Sequence, residues 1–259
     1  MNIWLLAGII MVIALVMTMT GRGGGNFYVI AIVLSGVGIH EAATTGQFVL
    51  ICSSLTAAII FGRKKIVDWK LVLIIGSMTL VSAFLGGFFS DQFNATLLKI
   101  IFAVFIFIAS LLMLKPVRET TKTNNCCQIE LRTGNTVYHI NMLVFIPVVL
   151  ITGFVAGMVG ISGGSFLVPL MVLAVGVPMQ TAVGTSTTLV LITATAGFLG
   201  HVSTGHFDVR MSVILAVAAI IGSLFGTRLT IKANPKILKI VFASTSMIAA
   251  LIMLCRVFY

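Results

Sequence analysis

The number and length of its apolar runs limit what this chain can fold into more than any other feature. Mostly apolar runs follow one another from residue 3 to residue 255, separated by short polar or glycine-rich stretches and one longer linker. A membrane-spanning helix needs about 20 such residues. Only 8% of the residues are charged, against roughly 25% in a soluble domain. The sequence therefore predicts an all-α integral membrane protein.

The apolar segments fall into two sets of five. The first set is 3–20, 26–39, 43–62, 70–90 and 96–114, and the second is 142–159, 164–177, 182–200, 209–228 and 236–255. The second segment of each set has about 14 residues and would rise only ~21 Å as a helix. The hydrocarbon core is about 30 Å thick. We therefore expect a half-helix, or a tilted and broken helix, at both of these positions.

An internal repeat with a spacing of about 140 residues relates the two sets. The clearest match is between residues 98–103, LKIIFA, and residues 238–243, LKIVFA. The same spacing aligns Asp68 with Asp208. The chain is accordingly predicted to have three parts: a first transmembrane repeat at 1–114, a cytoplasmic linker at 115–141 and a second transmembrane repeat at 142–259.

The basic residues predict the orientation. The net charge of +10 comes from Lys and Arg at the ends of apolar runs, which is typical of cytoplasmic loops and not of a nucleic-acid-binding face. Three clusters mark cytoplasmic loops, near 63–70, 115–132 and 228–239, whereas the loop 201–210 holds only Arg210. These assignments agree only if the repeats have inverted topology, as in many secondary transporters. Both termini are then expected outside, in a bacterial inner membrane.

Two glycine clusters are the strongest candidate sites. Gly160–Phe166, GISGGSF, aligns with Gly21–Phe27, GRGGGNF. A glycine loop that leads into a helix presents free N–H groups at the positive end of the helix dipole, which suits an anion. The alternative is that these glycines only allow close helix packing. The predicted ligands here are Gly23, Gly24, Gly25, Asn26, Ser162, Gly163, Gly164 and Ser165.

A second pair of motifs stands at the start of the third segment of each repeat. Ala182–Thr188, AVGTSTT, aligns with Ala43–Gln47, ATTGQ. Thr185, Ser186 and Gln47 are predicted to bind the solute. The alternative is that such side chains cap the helix start.

Three charged or titratable residues complete the candidates. Arg22 is a charge partner for an anion if it lies within the membrane, and an ordinary cytoplasmic charge if the first segment crosses fully. His40 and Glu41 are candidates for proton coupling, or a solvated loop pair. Because HEAAT is not HExxH, no zinc site is predicted, and no cofactor is expected.

These motifs resemble the sulfite exporter TauE/SafE family of bacterial permeases. The residues that carry the resemblance are Gly160, Gly163, Gly164, Pro169 and Gly184-Thr185-Ser186. The first repeat departs from the family pattern, with Ile30 in place of a proline, Thr45-Gly46-Gln47 in place of Gly-Thr-Ser, and Arg22. The resemblance implies transport of a small sulfur-containing anion, such as sulfite or an organosulfonate.

Two alternatives from other classes stay open. One is a passive anion channel. The other is a rhomboid-like intramembrane serine protease, because Gly160–Gly164 contains GxSG, with Ser162 as nucleophile and His201 as base. The expected partners are a small anionic solute, the lipid bilayer and, as an open arrangement, a second copy of the chain in a homodimer.

Overall fold

The computed structural model describes residues 2–89, 95–114, 128–133, 136–159, 164–202 and 207–258. Within these ranges the chain forms ten helices and one β-hairpin. The elements are α1 (Ile3–Thr20), α2 (Gly25–Leu34), α3 (Ile39–Arg63), α4 (Trp69–Phe89), α5 (Ala95–Leu114), β1 (Gln128–Thr133), β2 (Thr136–Asn141), α6 (Met142–Val159), α7 (Gly164–Ala174), α8 (Met179–Val202), α9 (Val209–Lys232) and α10 (Pro235–Phe258). Each predicted apolar segment corresponds to one helix, so the prediction that these segments are helical is confirmed. Among the described residues, three helices are long and apolar enough to cross a membrane: Ile3–Thr20, His40–Arg63 and Val209–Lys232.

The linker between the repeats holds the hairpin, which the sequence analysis did not predict. Strands β1 and β2 pair in antiparallel fashion, with Gln128 opposite Asn141. The signal was present, because Gly134-Asn135 separates two runs that contain β-branched and aromatic residues, a pattern typical of a two-residue hairpin turn. The description as all-α therefore holds for the apolar segments and not for the linker.

The chain forms two compact units, and each takes helices from both repeats. The first unit comprises residues 1–67 and 183–233, and the second comprises residues 68–182 and 234–259. The first unit therefore contains all of α1, α2, α3 and α9, and most of α8. The repeats divide the chain along its sequence, whereas these units divide it in space.

In the first unit, α9 packs closely on α1 through two glycines. A side chain at Gly222 would meet the carbonyl oxygen of Met11, and one at Gly226 would meet that of Leu15. Small residues spaced by four allow such close approach between membrane helices. From the first contact to the second, the residue number rises by four on both helices, so α1 and α9 run parallel.

Helix α3 also runs parallel to α9. The Ser212 hydroxyl donates to Thr45 Oγ1 at 3.1 Å, and the Ser223 hydroxyl donates to the Ser53 carbonyl at 2.7 Å. Both pairs advance in the same direction along the two helices. Their C-terminal ends therefore lie at the same end of the unit, here called the basic end. It carries the exposed cations Arg63, Lys64, Lys65, Arg228 and Lys232.

The short helix α2 covers only about half of α3. Its 10 residues rise about 15 Å. A Cβ at Gly25 would lie 2.8 Å from Leu50 Cδ2, and one at Gly46 would lie 2.7 Å from Val29 Cγ2. Helix α2 therefore begins near the middle of α3 and runs antiparallel to it, toward the start of α3. The expectation of a half-length helix after the first glycine cluster is confirmed.

The second unit repeats details of the first. A side chain at Gly153 of α6 would meet the Ser82 hydroxyl of α4. At the repeat spacing, Ser82 aligns with Gly222 and Gly153 with Ala14, and a Cβ at Gly222 would lie 3.0 Å from the Cβ of Ala14. The helix pairs α4–α6 and α9–α1 thus meet at equivalent small residues.

The aligned aspartates also have one local role. Asp68 accepts from the Leu71 amide at 3.2 Å, and Asp208 accepts from the Met211 amide at 3.2 Å. Each caps the N-terminus of the fourth helix of its repeat. The sequence alignment of Asp68 with Asp208 therefore corresponds to a shared helix start.

Candidate functional site

The first glycine loop, residues 21–24, reverses the chain between α1 and α2. Gly21 ends α1 at a φ of 69°, where its amide donates to the carbonyls of Met17 and Thr18. Gly23 and Gly24 follow at φ values of 71° and 79°. Three left-handed residues among four positions require glycine. The conformation of this loop is therefore determined by the glycines of the GRGGG sequence.

The loop is wedged between α3 and α8. A Cβ at Gly23 would lie 2.5 Å from Val190 Cγ1 and 2.7 Å from Leu50 Cδ1. Leu50 stands near the middle of the 25-residue helix α3, about 16–20 Å from either end. The loop therefore lies at mid-height of a helix that is long and apolar enough to cross a membrane.

Arg22 is carried into the interior by this loop. Its side chain is 5% exposed, and its neighbours Gly21 and Gly23 are buried. The sequence left open whether Arg22 lies within the membrane or at its surface. The structure buries it beside the middle of α3, away from both ends of that helix, and a position within the membrane stays a prediction. A buried cation is costly unless negative charge or hydrogen-bond acceptors surround it. A role for Arg22 in solute binding stays a prediction.

Ser186 joins the motif of the second repeat to the glycine loop of the first. Its hydroxyl, fully buried on α8, donates to the Gly21 carbonyl at 2.8 Å. This bond brings the two sequence motifs together within the first unit. It also uses the single proton of that hydroxyl, so toward a solute the Ser186 oxygen presents lone pairs.

The neighbouring hydroxyls on α8 are also engaged as donors. Thr187 donates to the Val183 carbonyl at 2.8 Å, and Thr188 donates to the Gly184 carbonyl at 3.1 Å. Thr185 is fully buried beside them. Because α8 begins at Met179, these residues lie inside the helix. The capping alternative is therefore wrong for them.

Gln47 lies inside α3, next to Gly46 and one turn before Leu50. Helix α3 begins at Ile39, so Gln47 does not cap it either. The side-chain oxygen of Gln47 is buried and has no hydrogen-bond partner among the described residues. Buried polar atoms are rarely left in this state without a ligand or water.

Two backbone amides at the start of α2 directly follow the glycine loop. The first hydrogen bonds of α2 are donated by Phe27 and Tyr28 to the Gly24 carbonyl, so the amides of Gly25 and Asn26 precede the helical pattern. Gly24 precedes the helix and offers no capping side chain. The Asn26 side chain is exposed.

The remaining predicted residues are not brought to this loop by the described contacts. Gly164 and Ser165 are buried at the start of α7, in the second unit. Ser162 and Gly163 lie outside the described residues, as does the side chain of His201. The part played by the second glycine cluster stays a prediction.

The coupling candidates lie in the first turn of α3. His40 is exposed and Glu41 is half-buried. Glu41 precedes Leu50 by nine residues, about 14 Å along the helix, on the side away from the basic end. Within the described ranges, no group of three or more His, Cys, Asp or Glu side chains could hold a metal ion.

Several residues near the loop were missed by sequence reasoning. The Tyr28 ring lies against Gly24, and its hydroxyl is 3.4 Å from Ser53 Oγ. The rings of Phe48, Phe198 and Phe207 form a cluster with centroids 5.5–5.7 Å apart. The sequence analysis also missed Leu50 and Val190, which contact the loop at Gly23. Apolar and aromatic types of this kind occur throughout the chain, so no local pattern distinguishes them.

Comparisons with known proteins cover nearly the whole chain. The model of the sulfite exporter TauE/SafE family matches residues 6–253. The probable membrane transporter protein MJ0441 of Methanocaldococcus jannaschii is 25% identical over 261 residues, covering 94% of this chain and 92% of that protein. The probable membrane transporter protein YunE of Bacillus subtilis is 28% identical over 227 residues, covering 84% of this chain and 80% of that protein. No solved structure matches. The family match includes both glycine clusters.

Proposed function

The chain belongs to the sulfite exporter TauE/SafE family and is a multi-pass membrane transporter rather than an enzyme, and we propose that it carries a small anion, sulfite or an organosulfonate, by alternating access. The observation that carries the choice of an anion is the burial of Arg22 in a glycine loop at mid-height of α3. The proposed ligands in the first unit are Arg22, the loop backbone, Gln47 and Ser186.

The electrostatics of the loop favour a negative solute. Arg22 supplies a full positive charge, and its planar guanidinium suits two oxygens of a sulfonate or carboxylate. Helix α2 begins at Gly25, so the positive end of its dipole and the amides of Gly25 and Asn26 lie beside the same loop. Two sources of positive potential, the guanidinium and the N-terminus of α2, thus converge in an apolar layer, where they act most strongly.

Close packing around the loop favours alternating access over the passive channel. Leu50 of α3 and Val190 of α8 lie directly against Gly23. A solute that reaches Arg22 therefore requires the helices around the loop to move. A packed site that opens in turn to each side is the usual construction of secondary transporters with discontinuous helices.

The direction of the helices supports inverted repeats. Helices α3 and α8 hold the same place in the two repeats and both belong largely to the first unit. Phe198 of α8 contacts Phe48 of α3, whereas Gly184 of α8 lies against Ile66, just beyond the end of α3. The two counterparts therefore run antiparallel, as inverted repeats require. With the basic end assigned to the cytoplasm of a bacterial cell, α1 begins on the outer side. The basic loop 228–239 that precedes α10 is likewise assigned to the cytoplasm, so a spanning α10 ends outside, and both termini are proposed to lie outside.

The test is anion flux into proteoliposomes by the full chain and matched variants. Arg22→Gln is expected to abolish sulfite or sulfonate flux, since it removes the charge and keeps a polar side chain. Arg22→Lys should retain part of it, because the charge remains but the planar fork is lost. Arg228→Gln, which removes an exposed cation of the first unit, is the control. Undiminished flux in Arg22→Gln would contradict the proposal.

A further inference from the structure

The hydrogen-bond pattern around the first glycine loop bears on which anion it selects. We propose that the solute carries a hydrogen-bond donor as well as its negative charge, as hydrogen sulfite or a hydroxysulfonate does. This inference rests on the proposed function, because it takes the loop as the solute site.

The first step concerns the hydroxyl groups. A serine or threonine hydroxyl has one proton to donate. Ser186 donates its proton to the Gly21 carbonyl, Thr187 to the Val183 carbonyl and Thr188 to the Gly184 carbonyl. These side chains therefore present only acceptor lone pairs to a solute. Their presence beside the loop does not supply donors to an anion.

The second step concerns Gln47. Its side-chain oxygen is buried and has no hydrogen-bond partner among the described residues. The residue stands between Gly46, which lies against Val29 of α2, and Leu50, which lies against Gly23 and Gly25. Gln47 is thus on the part of α3 that holds the loop. A buried acceptor without a partner is satisfied by a solute that donates.

The third step combines the two kinds of group. Arg22 and the amides of Gly25 and Asn26 meet the negative charge, whereas Gln47 and Ser186 offer oxygen acceptors. A bare dianion would place its own oxygens against these acceptors, with no hydrogen to share. A monoanion with an O–H or N–H group matches both sets. Sites built to bind such a group discriminate strongly against analogues that lack it.

Three sulfonates separate the donor from charge and size. The probes are ethanesulfonate, 2-hydroxyethanesulfonate, which adds a donor, and 2-methoxyethanesulfonate, which keeps the oxygen but has no donor. Binding is measured calorimetrically on the purified full chain in detergent. We expect 2-hydroxyethanesulfonate to bind about fivefold more tightly or better than the other two, since an unsatisfied buried acceptor weakens binding by about five- to 150-fold.

Gln47→Met tests the residue, because it removes the acceptor and keeps an unbranched side chain. In this variant 2-hydroxyethanesulfonate should bind no better than ethanesulfonate. The control is Thr195→Val, which removes an exposed hydroxyl on the same helix as Ser186 and should keep the preference. The comparison of the three sulfonates on the unmodified chain stands even if Gln47→Met does not fold.

The outcomes separate this inference from the proposed function. Equal binding of the three sulfonates would overturn the donor requirement and leave anion transport standing; a Gln47 amide turned to present its N–H group to the solute would give this result. A preference that survives in Gln47→Met would overturn the assignment to Gln47. Binding of none of the sulfonates, nor of sulfite, would overturn both the inference and the proposed function.

Discussion

The substitution Gly23→Ala tests the wedged glycine loop quantitatively. The added Cβ would lie 2.5 Å from Val190 Cγ1 and 2.7 Å from Leu50 Cδ1. The leucine methyl can swing away, but the valine methyl is held by a stiff χ1. Overpacking of this kind costs about 1–3 kcal/mol, and the left-handed backbone at a φ of 71° costs a further ~1–2 kcal/mol. We expect a loss of about 2–5 kcal/mol in the free energy of unfolding.

Two other glycines separate these contributions. Gly36 has a φ of 99° and nothing within 4 Å of its Cβ position, so Gly36→Ala should show only the backbone cost of about 1–2 kcal/mol. Gly8 also has open space but lies inside α1 with no positive φ, so Gly8→Ala should be neutral or slightly stabilising. The assay is denaturant or thermal unfolding in detergent, with sulfite flux measured in parallel.

A double variant identifies the packing contact directly. Val190→Ala removes the methyl that the new Cβ meets, so Gly23→Ala combined with Val190→Ala should recover part of the lost stability. The reasoning is refuted if Gly23→Ala costs no more than Gly36→Ala, because the loop would then not be confined by α3 and α8.

Three further predictions concern other parts of the chain. Gly226→Val should destabilise the protein by more than ~3 kcal/mol in a detergent melt, because its side chain meets the fixed carbonyl of Leu15; stability equal to the unmodified chain would contradict the α1–α9 packing. Gly164→Leu should abolish flux without preventing insertion, which membrane fractionation checks, and unchanged flux would exclude the second glycine cluster from the site. Sulfite flux should fall as pH rises, because hydrogen sulfite loses its proton. Flux of 2-hydroxyethanesulfonate, whose charge is constant, should stay level. A sulfite flux that rises with pH would argue against a monoanion as the transported form.

The helices were predictable because apolar length is a local property of the sequence. All ten predicted segments correspond to helices, and most boundaries differ by a few residues at most. Helix α2 ends five residues early, at Leu34 instead of residue 39. Helices α3 and α8 begin at Ile39 and Met179, before the polar motifs that were taken to open them. Polar residues inside these helices are buried against other helices, and a local pattern does not distinguish this arrangement from a helix start.

The candidate site was predictable only in part, because its geometry depends on contacts distant in sequence. The glycine clusters and the hydroxyl motif were recognisable from their repetition in both halves. The depth of Arg22 was not, since it depends on where Leu50 and Val190 meet the loop. The bond from Ser186 to Gly21, across 165 residues of chain, has no local signal either. These contacts decide which groups remain to bind a solute.

The most direct test of the central claim is the effect of anions on the melting temperature of the purified protein in detergent. A ligand that binds only the folded state raises that temperature. We predict that sulfite or a short sulfonate raises it for the unmodified chain and for the exposed-cation control Arg228→Gln, and that Arg22→Gln abolishes the shift. No shift in the unmodified chain with any sulfur oxyanion, or an undiminished shift in Arg22→Gln, would contradict an anion site built around Arg22.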